Sequence, residues 1–324
     1  MPLDPILQAM REQQLALPTS PSLGVHEARR AASLWNRDLN NAGLRLYEVE
    51  RWEDRPLGAS TLRVYWPSAA AAALPIVVYC HGGGWVLGDL NAYDNTCRAI
   101  AKTVNAIVVA VEYRKAPEHR FPAAADDCLD AACWAIAHAS VLGGDPNRVF
   151  IAGDSAGGNL AAVVAQDLAK CNGGVLAGQV LIYPVTDHPS LSSYASHSYV
   201  AEDYSVERDV EGMHWFINLY LGGDATHYAN PRFAPMQARH LDARIPPALI
   251  ITAEYDALRD EGEAYARRLM DAGVPVLVKR FEGVNHGFFE LPGMLAAADA
   301  ALSLMSIWIR SRCGQAPLLV NGDS

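Results

Sequence analysis

The chain has 324 residues, 51% of them hydrophobic and 19% charged, with a formal net charge of −10. That length allows about two average domains or one large α/β domain with insertions, and the composition buries a full core and excludes disordered, collagen-like and low-complexity proteins. The acidic balance, with no basic stripe, excludes a protein that tracks nucleic-acid phosphates.

In chain order, the first segment, Met1-Pro-Leu-Asp-Pro-Ile-Leu7, lacks the charged and apolar regions of a signal peptide. Residues 1–43 carry helix-like patterning without a strand. Short β-branched runs then predict strands at Leu62–Trp66, Ile76–Cys80, Ala106–Val111, Val149–Ala152, Val180–Tyr183, Leu249–Thr252 and Val276–Phe281. The longest uncharged stretch, Pro67–Gly88, holds two prolines, His81 and four glycines, so no membrane span is expected. Helix-length segments separate several strands, and in Gly158–Lys170 Leu160, Val163, Val164 and Leu168 keep helical spacing. Apolar strands alternating with helices predict the α/β class, a parallel sheet covered on both faces. Residues 187–243 break the rhythm, being polar and aromatic, with a helix expected over Val206–Leu221. That segment and residues 1–43 are too poor in apolar residues for cores of their own, and are expected to lie over one end of the sheet as a lid, a dimerisation arm or a packing ornament. The main domain is then 44–186 with 244–315, and 316–324 is a tail. No repeat of 20–50 residues occurs. The six cysteines are widely spaced, with no C-x-x-C pair, which predicts free thiols in a reducing compartment such as the cytoplasm.

The chemistry concentrates at Gly153-Asp-Ser155-Ala-Gly157, a G-x-S-x-G between a strand and a helix. A serine at the tip of so sharp a turn needs small neighbours, and the helix start beside it favours negative charge. Cys80-His-Gly-Gly-Gly-Trp85 follows another strand, and its glycine amides suit a developing oxyanion. Gly83 and Gly84, with the Ala156 N–H, are the favoured donors, Gly82 remaining an alternative. A serine hydroxyl needs a base, and the base an orienting acid. His286 follows the Val276–Phe281 strand after the loop 282–285, and Asp256 follows the strand ending near Ala253. The order Ser155, Asp256, His286 is that of an α/β-hydrolase. Glu254, Asp260 and Glu261 are rival acids, the last two better placed to begin a helix.

These segments, with Val111-Glu-Tyr-Arg-Lys-Ala-Pro-Glu118, Phe121-Pro-Ala-Ala124, Asp256-Ala-Leu-Arg-Asp-Glu-Gly262 and His286-Gly-Phe288, resemble the hormone-sensitive-lipase-like branch of the α/β-hydrolases, the bacterial family IV esterases. The resemblance implies an eight-stranded, mostly parallel sheet, with a helical cap built from residues 1–43 and 187–243. It implies hydrolysis of short-chain carboxylic esters without cofactor or metal. Ser155 would be nucleophile, His286 base and then acid, and Asp256 its orienter; Gly83, Gly84 and Ala156 would bind the oxyanion, and His81 would brace the loop. Ala257 stands where the family often has proline. Trp85, Trp215, Phe216 and Phe288 are candidates to line a substrate pocket. An amide or formamide hydrolase on the same scaffold is an alternative, as is a non-catalytic small-molecule receptor, although related receptors have lost the histidine. No G-x-G-x-x-G after a strand, P-loop, H-E-x-x-H or zinc-type Cys/His spacing occurs. The resemblance also allows a homodimer through the Val276–Phe281 edge.

Overall fold

A computed structural model describes residues 1–41, 45–67, 73–170, 176–191, 198 and 206–314. Cys171, the C-terminal tail, the boundary at residue 43 and much of 192–205 lie outside the described residues. The chain begins with helices α1 (Pro5–Leu15), α2 (Ser20–Leu23) and α3 (Val25–Asn41). Strands β1 (Arg51–Leu57), β2 (Ser60–Trp66) and β3 (Leu74–Cys80) follow, then α4 (Asp94–Val104), β4 (Ile107–Glu112), α5 (Ala123–Leu142), β5 (Gly144–Asp154), α6 (Ala156–Lys170) and β6 (Gly178–Ile182). The second half contains α7 (Val206–Leu221), β7 (Ala248–Tyr255), α8 (Arg259–Asp271), β8 (Val276–Asn285) and α9 (Ala296–Arg312).

The strands form one eight-stranded sheet in the order β1-β2-β4-β3-β5-β6-β7-β8. Only the β1–β2 and β2–β4 pairs are antiparallel. Period-two alternation divides the strand side chains between two cores. Ile76, Val78, Val149, Ile151 and Leu181 pack on one face with α5, α6 and α8. Val77, Tyr79, Phe150, Ala152 and Ile182 pack on the other with α4 and α9. The buried face of α5 is largely alanine (Ala124, Ala131, Ala132, Ala135, Ala139), whose small side chains let the helix lie close to the sheet. Burying each Val, Leu or Ile is worth about 1.5–3 kcal/mol relative to exposure, so these two layers carry most of the stability.

Two strands differ from the sequence expectation. β1 is an edge hairpin partner with an alternating half-exposed pattern, and its charged residues and Pro56 conceal it from an apolar-run criterion. β8 does not stop at Phe281. Glu282–Asn285 are strand rather than loop, because the ladder shifts register between Ala253 and Tyr255 and then pairs Tyr255 with Asn285. The bulge delivers His286 directly from the strand end.

Chain reversal around β3 and β5 leaves a crevice at the carboxyl ends of the central strands, where open α/β sheets place their ligand sites. The N-terminal arm and the segment around α7 border that crevice. Arg29 of α3 donates to the Val86 and Ala116 carbonyls (2.9 and 2.8 Å) and pairs doubly with Glu118 at 2.8 Å. Its guanidinium holds the Glu118 carboxyl down at about 2. Asn159 of α6 donates to the Val185 and Phe233 carbonyls (2.9 and 2.6 Å), which fastens the 187–243 segment beneath the helix. Among the described residues no helix is long and apolar enough to cross a membrane.

Candidate active site

Ser155 is the one residue between β5 and α6, and its φ of +55° is left-handed. For a non-glycine residue that conformation costs about 1–2 kcal/mol and persists only when its surroundings hold it. Here the Ser155 N–H donates to the Ile182 carbonyl (2.8 Å), and the Val185 N–H donates to the Ser155 carbonyl (3.3 Å). The motif glycines make the bend possible by close backbone approach. A Cβ on Gly153 would lie 2.6 Å from the Cys80 carbonyl oxygen, and one on Gly157 would lie 2.5 Å from that of His81. The elbow is thus packed directly against the glycine loop, and neither segment tolerates a side chain between them.

His286 Nε2 lies 2.9 Å from Ser155 Oγ, and Nδ1 lies 2.8 Å from Asp256 Oδ2. The carboxylate can only accept, so Nδ1 carries the proton and Nε2 is left to accept the serine hydroxyl proton. Asp256 Oδ1 accepts the Leu258 N–H at 2.8 Å, which fixes the carboxylate plane. The Asp256 side chain is 1% exposed and that of His286 36%, so the acid is shielded while the imidazole meets solvent. Tyr183 packs on the imidazole with ring centroids 4.6 Å apart.

The rival acids are engaged elsewhere. Glu254 accepts the Gly283 N–H (2.8 Å) and pairs with the N-terminal amine, tying the strand ends together. Asp260 pairs with Arg259, and Glu261 accepts the Thr186 N–H (2.7 Å), both from the first turn of α8.

The glycine loop is braced from below. His81 is buried between the rings of Tyr113 and Tyr93, at centroid distances of 4.3 and 5.2 Å. Burial, then the nearby Lys115 charge, lower its pKa to about 4, so it is neutral near pH 7. The Gly82 N–H donates to Asp154 Oδ1 at 3.0 Å, which removes it as an oxyanion donor. Among the described residues the Gly83 and Gly84 N–H groups have no protein acceptor. Their φ values of +99° and +62° are glycine conformations, and a Cβ on Gly84 would lie only 2.3 Å from the nearest ring carbon of Phe216.

The four aromatic candidates separate. Trp85 is fully buried and stacked on Tyr220 (4.6 Å between centroids), and Phe288 is fully buried against Phe281 and Tyr183. Both are core side chains rather than pocket walls, since neither exposes any surface and each packs on other buried rings. Phe216 of α7 covers the glycine loop and packs edge-on against Trp215. Composition alone missed a cavity of about 240 Å³ that His286 lines and Ser155 does not. It is walled by Met10 and Arg11 of α1, Trp35 of α3, Asn95 of α4, and Glu290. No periodicity in the N-terminal arm signals that contact, which arises only when the arm folds over the sheet end. The carboxyl of Asp154, hidden at the variable second position of G-x-S-x-G, was equally silent.

A strand–serine–helix elbow, a serine–histidine–aspartate relay and a glycine loop at the carboxyl end of a mostly parallel sheet together define the α/β-hydrolase class. A family model described as alpha/beta hydrolase fold matches residues 77–290. Esterase LipI of Mycobacterium tuberculosis is 41% identical over 254 residues, covering 76% of this chain and 77% of that protein. An ethyl acetate hydrolase of Pseudomonas putida is 40% identical over 246 residues, 74% of this chain and 73% of its own. The solved structure of a hyperthermophilic esterase from the archaeon Pyrobaculum calidifontis matches with a TM-score of 0.88 at 38% identity, covering 97% of this chain and 99% of that one. The chain belongs to the α/β-hydrolase family, in its hormone-sensitive-lipase-like branch.

Proposed function

We propose that this protein is a carboxylesterase acting on small esters with short acyl chains. The observation that carries the reading is the unbroken relay from Asp256 through His286 to Ser155, facing two free glycine amides. Relatives named as esterases and as an ethyl acetate hydrolase support the bond type.

His286 Nε2 takes the Ser155 proton as Oγ attacks the ester carbonyl carbon. The carbonyl oxygen becomes an oxyanion, met by the N–H groups of Gly83, Gly84 and Ala156. The positive end of α6 adds to that stabilisation, and removing one such donor typically costs 10²–10³ in rate. Asp256 holds the imidazole in the right tautomer and stabilises the imidazolium. The imidazolium then protonates the departing alcohol. Water, deprotonated by His286, attacks the acyl-enzyme by the reverse route and releases the acid and Ser155.

Residues 1–43 and 187–243 act as the cap over the 44–186 and 244–315 catalytic domain; support comes from α1 and α3 walling the cavity and from Phe216 covering Gly84. Short acyl chains follow from Phe216, which closes the space above the glycine loop. A homodimer through β8 is supported by its position at the sheet edge and by exposed Leu277. A reducing, cytoplasmic setting is supported by four buried cysteines, Cys80, Cys97, Cys128 and Cys313, that form no disulfide among the described residues.

The test is hydrolysis of p-nitrophenyl esters from acetate upward, wild type beside Ser155→Ala. Rates should fall with acyl length and disappear in the variant. Rates that rise toward long chains would contradict the substrate class. An inactive but folded wild type would redirect the work to ligand binding, and faster cleavage of a matched amide would favour the amidase alternative.

A further inference from the structure

The cavity beside His286 stands apart from the nucleophile: of the serine, acid and histidine only His286 lines it, and neither the glycine loop nor Phe216 does. That placement has a chemical meaning. In ester cleavage the imidazolium hands its Nε2 proton to the departing alkoxy oxygen, so the alcohol half of the ester lies on the histidine side of the serine. Drug-sized ligands occupy pockets of about 300–1,000 Å³. A cavity of about 240 Å³ suits one half of a small ester.

The polar groups of its wall fall into two sets, the first engaged within the protein. Asp94 accepts the Tyr65 hydroxyl (2.9 Å) and Arg98 Nε–H (2.6 Å), and Asn91 Oδ1 accepts an Arg63 N–H (3.1 Å). The Asn95 amide accepts the Tyr47 N–H and donates to the Arg45 carbonyl, both at 3.0 Å. Two neutral groups are left over. Thr96, in the first turn of α4, is only 4% exposed, and its hydroxyl has no hydrogen-bond partner among the described residues. Asn285, the last residue of β8, carries an amide that also has no partner among them, and its Oδ1 is closed off from solvent. Native proteins keep few such groups unless a ligand or water completes them.

These features select the chemistry of an occupant. Thr96 and Asn285 are neutral, and Arg11 and Glu290 bring one basic and one acidic side chain to the wall, which favours no net charge. An alcohol hydroxyl both donates and accepts, so it matches the threonine hydroxyl and either end of the asparagine amide, whereas an ammonium only donates and a carboxylate only accepts. The ester linkage occupies one oxygen of the alcohol, so meeting Thr96 and Asn285 requires further hydroxyls. Trp35 gives the carbon skeleton of such a molecule a flat apolar wall.

We propose that this cavity receives the leaving alcohol and selects polyhydroxylated alcohols, Thr96 and Asn285 being the residues that bind the extra hydroxyls. The substrates are then short-chain esters of polyols. As the acyl-enzyme forms, the ester C–O bond breaks, the alkoxy oxygen takes the proton from His286 Nε2, and the neutral polyol is left in the cavity. An apolar alcohol of the same size leaves both groups unpaired, so discrimination comes from that mismatch rather than from fit.

The inference rests on the esterase reading and deepens it, and its test separates the two. Hydrolysis of glycerol monoacetate and of pentyl acetate, whose alcohols have equal numbers of heavy atoms, is followed by titrating the released acid. Each kcat/KM is divided by that ester's alkaline hydrolysis rate. The wild type should favour the glycerol ester by about tenfold or more. Thr96→Val and Asn285→Leu keep the side-chain shape and remove the polar atoms, and each should lower that ratio several-fold. A ratio taken within one protein cancels any general loss of activity or of folded enzyme. A wild-type ratio near one, or a ratio unchanged in both variants, would overturn the proposal. If no ester is cleaved, the esterase reading fails, and saturation-transfer NMR of Ser155→Ala with equal glycerol and pentanol tests the cavity alone. Transfer to glycerol that weakens when Thr96→Val is added supports the polyol site, while equal transfer to both alcohols, or none, overturns it.

Discussion

Strand β3 buries all seven of its residues, while α1 at the sheet end buries only Leu7 of eleven. The same chain thus holds a rigid platform and a looser cover, and the active-site parts are divided between them. Ser155, Asp256, His286 and the glycine loop are set on strand ends, where packing on both faces leaves little freedom. The cavity wall is supplied by α1, α3 and the approach to α4, and Phe216 comes from α7. The difference implies that changes in the platform alter chemistry and folding together, whereas changes in the cover alter binding first.

The largest test is Ser155→Ala, expected to lower kcat by about 10⁴-fold or more with the far-ultraviolet spectrum unchanged. Retained activity would remove the platform from the chemistry altogether. Next comes Gly157→Ala. Its added methyl meets the Cys80 and His81 carbonyls, and urea unfolding should report a loss of about 2–4 kcal/mol as well as inactivation.

A pH scan sharpens the same point. His81 is held neutral, with its pKa lowered from 6.5 to about 4 by burial and then by Lys115. A histidine whose folded value is depressed contributes stability that is present above its unfolded value and is lost as pH falls through the folded one. Thermal stability should therefore decline from about pH 6.5 to about pH 4, and His81→Phe should flatten that slope; an unchanged slope would exonerate His81.

For the cover, Arg29→Ala removes the carbonyl contacts and the Glu118 pair. KM should rise several-fold with a smaller change in kcat, and stability should drop by about 1–2 kcal/mol, since Glu118 is half exposed. The smallest effect is Gly212→Ala in α7, where a methyl meets nothing within 4 Å. Helix propensity alone predicts a gain of up to about 1 kcal/mol, and a loss there would show the cover to be packed more tightly than the platform comparison allows.

Legibility followed burial. The doubly buried strands announce themselves as apolar runs because both faces of a parallel sheet must avoid water, and α7 was placed at Val206–Leu221 by its pattern. β1 was not, since an edge strand with one wet face needs no apolar run. The glycines of the elbow were readable because only glycine permits two backbones to approach so closely. Gly82 could not be separated from Gly83 and Gly84 by sequence, for all three are chemically alike until Asp154 takes one amide. Trp85 and Phe288 near the motifs looked like pocket walls, and only packing against Tyr220, Tyr183 and Phe281 assigned them to the core.

By itself, then, the sequence determined the α/β layering, the position of the candidate nucleophile and the chain order of the serine, acid and histidine that the structure brings together, all of which depend on local periodicity or on steric rules for single residues. Tertiary structure decided which glycine amide is taken by Asp154, which aromatics are buried in the core, and how the arm walls the cavity. Those facts depend on distances between segments that no local pattern encodes, because burial and charge proximity exist only once the chain has closed on itself.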